Sequence, residues 1–72
     1  MTITDLMAVL SAYLISGGTL GFRQNQILHR FKYLPKEDVL TALEVLWEEE
    51  KVQRFTMPNK TIVWRATEKI NV

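Results

Sequence analysis

The sequence predicts a single α+β domain over residues 1–72, made of three helices, one short strand and a C-terminal two-stranded hairpin. Three observations predict it. In PKEDVLTALEVLWEEEKVQR, residues Val39, Leu40, Leu43, Leu46 and Trp47 recur at helical spacing on one arc. Beyond Lys51 the period changes, and two β-rich runs, VQRFTM and TIVWRAT, flank the turn pair Pro58-Asn59. Near the start, Leu6, Val9, Leu10, Tyr13 and Leu14 form a stripe at i, i+3, i+4, i+7 and i+8.

Taken in order, the first helix is expected over residues 4–16. Thr2 or Thr4 caps it and Asp5 faces the positive end of its dipole. Gly17-Gly18 stops it, because glycine adopts the left-handed conformation of a helix C-terminus without a Cβ penalty. Met7 and Ile15 lie off the main stripe, so this helix is expected to be buried on more than one side or to offer a seam to a second subunit. A brief edge strand is expected over 19–22, where Leu20 and Phe22 alternate. A second helix follows over 23–32, with Ile27, Leu28 and Phe31 inward. Tyr33 and Leu34 are expected to plug the corner before the third helix, 35–50, where Pro35 suits the first helical position. The hairpin strands are expected over 52–57 and 61–67. Pairing about Pro58-Asn59 sets Phe55 opposite Ile62 and Arg54 opposite Val63. That register gathers Phe55, Ile62, Trp64 and Ala66 against the helices and leaves Arg54, Thr56, Thr61, Val63 and Arg65 outside. Lys60 is expected at an exposed tip.

Composition excludes several classes of function. With 72 residues the chain is near the lower end of what folds unaided, burying about 60% of its unfolded surface. It has no cysteine and a single histidine, His29, so neither a disulfide framework nor a thiolate or histidine metal site is expected, and no cofactor either. No glycine-rich phosphate loop and no nucleophile with a neighbouring base is present, and an enzyme is not expected. Glu48, Glu49 and Glu50 are consecutive, about 100° apart on a helix, and read as a solvated helix end. No apolar run approaches the roughly 18 residues of a membrane span, and Leu6–Ile15 lacks the flanks of a signal peptide, so a cytoplasmic location is expected.

The net charge of +1 conceals a pattern. Residues 21–35 carry Arg23, Arg30 and Lys32. Residues 36–51 set Lys36 and Lys51 against Glu37, Asp38, Glu44, Glu48, Glu49 and Glu50. Residues 52–72 carry Arg54, Lys60, Arg65 and Lys69 against Glu68. An acidic third helix thus lies between two basic segments.

The tri-helical order, the run L-x-x-L-W-x-x-x-x-V-x-R from Leu43 to Arg54, and the basic hairpin together resemble the winged helix-turn-helix superfamily over residues 4 to 67. One departure is that Glu50-Lys51 stands where many members have a glycine ending the third helix. The resemblance implies a DNA-binding protein, a small transcription or replication regulator acting as a dimer through the first helix, nucleoid-associated if it binds DNA. It implies Arg23, Gln24, Gln26 and Arg30 near phosphate, Lys36 and Thr41 at base edges, and Arg54, Lys60 and Arg65 on the wing. Residues Glu37, Glu44 and Glu48 argue against ordinary groove reading, because carboxylates repel phosphates and affinity comes from lysine and arginine. Two further modes are therefore expected alongside it. One is a wing-led mode with the acidic helix turned away. The other is a protein-binding adaptor whose acidic third helix docks on a basic partner.

Overall fold

A computed structural model describes residues 2–67. Helix α1 spans Ile3–Ser16, a single 3₁₀ turn Gly18–Leu20, strand β1 Phe22–Arg23, helix α2 Gln24–Arg30, helix α3 Lys36–Glu48, and strands β2 and β3 Val52–Thr56 and Ile62–Ala66. The strands form one antiparallel sheet in the order β1-β3-β2, so the fold class is α+β with three helices and three strands.

Each boundary has a local cause. The Thr2 hydroxyl accepts the Asp5 N–H at 3.1 Å and caps α1. At its end Gly17 stays right-handed and Gly18 takes the positive φ, +61°. The expected strand over 19–22 is displaced to Phe22–Arg23. Gly21 (φ 66°, ψ −162°) turns the chain there and brings its backbone against the Trp64 carbonyl, so pairing begins only at Phe22, opposite Trp64. Gln26 Oε1 accepts the Arg23 N–H at 2.9 Å and starts α2. Helix α3 ends two residues before the expected position, in a Schellman turn. Glu50 N–H donates to Trp47 O at 3.0 Å and Lys51 N–H to Leu46 O at 2.9 Å, with Glu50 left-handed at φ 62°.

The core joins Leu6, Leu10 and Leu14 of α1, Ile27 and Phe31, Val39, Ala42, Leu43 and Leu46 of α3, Val52 and Trp64. Met7 packs against this cluster and is thereby accounted for within one chain, whereas Val9 and Ile15 remain exposed. Tyr13 stacks on Phe22 (4.3 Å between ring centres) and meets Phe31 edge-on (5.5 Å). Of the two corner residues, Leu34 packs on the core but Tyr33 is exposed.

The hairpin register corrects the expectation. Phe55 faces Val63 and Arg54 faces Trp64, a slip of one residue. The loop is three residues long: Met57 N–H donates to Thr61 O and Lys60 N–H to Met57 O, both at 2.8 Å, with Lys60 at φ 68°. Pro58 cannot take the positive φ that a two-residue type I′ turn requires, and a third, left-handed residue restores the strand twist. An odd loop moves every β2 side chain to the other face. Val52, Arg54 and Thr56 therefore join Ile62, Trp64 and Ala66 on the helix side, and Phe55 goes to the open side, 45% exposed. Trp47, expected in the core, is 44% exposed, edge-on to Trp64.

Candidate nucleic-acid interface

The structure divides the nine residues assigned to DNA contact into several groups. Gln24 is half-buried and its Oε1 accepts the Trp64 indole N–H at 3.1 Å, so its amide oxygen serves the core. Gln26 is exposed and starts α2 through its own carbonyl oxygen. Arg30 is exposed on α2, with its guanidinium 5.9 Å from the Phe31 ring centre. Lys36 and Thr41 are exposed on α3, and Thr41 shares its stripe with Glu37, Glu44 and Glu48, all exposed at i, i+4, i+7 and i+11.

The hairpin arginines do not share a face. Arg54 lies opposite Trp64, with its guanidinium 5.1 Å from the Trp47 ring centre and 5.8 Å from that of Trp64. Arg65 lies opposite Gln53 on the open side; its Nε donates to Gln53 Oε1 at 2.7 Å and its guanidinium lies 5.0 Å from the Phe55 ring centre. Arg23, paired with Val63, is also on the open side. The one-residue slip causes this split.

What the fold does bring together is α2 and the hairpin tip. An open cleft of about 190 Å³ runs between them, lined by Gln24, Asn25, Asn59, Lys60, Thr61 and Ile62. A second, of about 410 Å³, continues along α2 and is lined by Tyr13, Asn25, Gln26, His29 and Arg30. Asn25 is common to both, so they form one surface furnished with amides, hydroxyls, an imidazole and two cations. Among the described residues no carboxylate lines either cleft. Asn59 Oδ1 accepts the Thr61 N–H at 3.1 Å, which fixes the tip that presents Lys60.

Asn25, His29, Asn59 and Tyr13 were not among the expected contacts. Asn25 and His29 are four apart on α2 and so share a face with each other, a signal available in the sequence. Asn59 and Tyr13 join them only through the tertiary fold. Among the described residues there is no group of three or more metal-ligating side chains, and no helix is long and apolar enough to cross a membrane. Comparison of the chain with family models, with curated proteins and with solved structures finds no match.

Proposed function

We propose that this chain is a DNA-binding protein of the winged helix-turn-helix type, a small regulator of transcription or replication, which engages duplex DNA through α2 and the hairpin tip. The element order and the sheet order β1-β3-β2 support the winged-helix reading. The observation that carries the binding mode is the surface joining Arg30, His29, Gln26 and Asn25 to Asn59 and Lys60, which no carboxylate of the described residues lines. Arginine and lysine on such a surface release counterions from phosphate, while amides and hydroxyls position the backbone by hydrogen bonds. The stripe Glu37, Glu44 and Glu48 is better kept off the duplex than seated in its major groove, which favours the wing-led mode. Lys36, exposed in the first turn of α3, adds a cation at the end of α3 remote from Glu44 and Glu48.

The reading extends to a homodimer through α1, because Val9 and Ile15 stay exposed and a two-fold pairing would cover them while doubling the DNA footprint. The second reading, a protein adaptor, is favoured by one observation: Trp47 is 44% exposed beside the acidic stripe, and an exposed tryptophan is a common anchor for a protein partner. A salt-titrated binding assay on mixed-sequence duplex separates the two. On the DNA reading, Arg30→Ala with Lys60→Ala flattens the dependence of log K on log salt by about two units and weakens all sequences alike. If wild type shows no salt-sensitive association at low ionic strength, the DNA reading is wrong. If Glu44→Gln with Glu48→Gln abolishes binding to a basic protein while the duplex is ignored, the adaptor reading replaces it.

A further inference from the structure

The sheet has two faces of opposite character. On the helix side, Phe22, Val52, Ile62, Trp64 and Ala66 belong to the core or pack against it. On the other side lie Arg23, Gln53, Phe55, Val63 and Arg65, which share a face because directly paired residues of antiparallel strands project together. None of these five belongs to the core, and none of the strand residues is acidic. Phe55 is the large apolar side chain of this face, nearly half exposed, with the Arg65 guanidinium beside its ring and held there by Gln53. Arg23 lies across β3 on the same row as Phe55, both paired with Val63.

We infer that this open sheet face binds an unpaired stretch of nucleic acid, with one base stacked on the Phe55–Arg65 platform and phosphate drawn to Arg23. An exposed aromatic ring among arginines on a sheet is suited to a ligand that carries both negative charge and flat π-faces. Bases inside a duplex already stack on their neighbours and cannot offer those faces, so the ligand is single-stranded. A second copy of this chain fits poorly, because its own sheet strands carry no acidic residue to meet Arg23. Phe55 lines neither cleft of the α2–hairpin surface, so this site stands independently of the duplex reading.

Fluorescence anisotropy with a labelled oligothymidylate of about a dozen nucleotides, within the span of small single-strand-binding domains, tests it. Wild type is expected to bind. Phe55→Ala and Phe55→Leu are both expected to lower affinity by roughly five- to a hundredfold, and Phe55→Trp to preserve it. Phe55→Leu keeps an apolar side chain in place and thermal melting verifies that each variant is folded. The proposal is overturned if wild type ignores the oligonucleotide at low salt, or if folded Phe55→Leu binds like wild type. It is equally overturned if an abasic strand or polyglutamate binds as tightly, since charge alone would then account for the association. The Arg30→Ala, Lys60→Ala double variant is expected to retain oligothymidylate binding while its duplex binding weakens, and a wild type that binds oligothymidylate but ignores duplex counts against the duplex reading and not against this one.

Discussion

Glu50 occupies a backbone conformation that a side chain disfavours, and replacing it by glycine should leave the protein more stable than replacing it by alanine. Its φ of 62° is left-handed, at the C′ position of the Schellman turn that ends α3. For a residue with a Cβ that conformation costs about 1–2 kcal/mol. Glycine removes the steric cost but adds about 0.4–1 kcal/mol of unfolded-state entropy. Measured against Glu50→Ala, which lacks the same side chain, the balance for Glu50→Gly is a gain of about 1 kcal/mol, which in a domain of this size raises Tm by roughly 4–8 °C. Glu50→Ala is the control, since it deletes whatever the side chain contributes without relieving the backbone; no gain is expected from it. Urea denaturation should show a higher midpoint for the glycine variant at an unchanged m-value. A glycine variant no more stable than the alanine one would refute the assignment of strain to this residue.

Other perturbations follow from the same geometry. Gly21→Ala should cost about 2–5 kcal/mol, because a Cβ there would clash with the Trp64 carbonyl oxygen in a backbone region almost confined to glycine. Gly18→Ala, left-handed but with nothing within 4 Å, should cost only about 1 kcal/mol, and equal losses in denaturation would contradict the packing at Gly21. Leu43→Ala, fully buried on α3, should cost about 2–5 kcal/mol, and a loss below about half a kilocalorie would mean α3 is turned differently. Gln24→Leu should cost about 1–3 kcal/mol by leaving the buried Trp64 N–H without its acceptor, with a blue-shifted tryptophan emission change as the accompanying readout. Sedimentation at high micromolar concentration should show a dimer that Ile15→Lys dissociates; a monomeric wild type would remove the α1 seam.

The helices and the core were legible because hydrophobic period is a local property. Leu6, Leu10, Leu14, Val39, Leu43 and Leu46 announce their burial by spacing alone, and each is buried. The hairpin register was not legible, because it depends on whether the loop holds two residues or three. Lys60 in a left-handed conformation carries no composition signal of the kind glycine would give. From that single residue followed the exchange of faces by Arg54 and Phe55, and with it the exposure of an aromatic sheet face. Trp47 was misplaced for a related reason. An apolar arc drawn at 100° per residue has blurred edges, and Trp47 lies at its rim, where its ring meets core Trp64 edge-on and the Arg54 guanidinium beside it. The acidic stripe of α3 follows from helical spacing alone, whereas the union of α2 with the hairpin tip depends on tertiary packing that no local pattern reveals.

The central claim is that duplex DNA meets this chain on the surface from Arg30 to Lys60 and not on the stripe of α3. Amide chemical-shift mapping during titration with a mixed-sequence duplex tests it most directly. Perturbations are expected to cluster at Asn25, Gln26, His29, Arg30, Asn59 and Lys60 and to fade as salt is raised. Perturbations centred on Glu37, Thr41, Glu44 and Glu48, or none at low ionic strength, would contradict it.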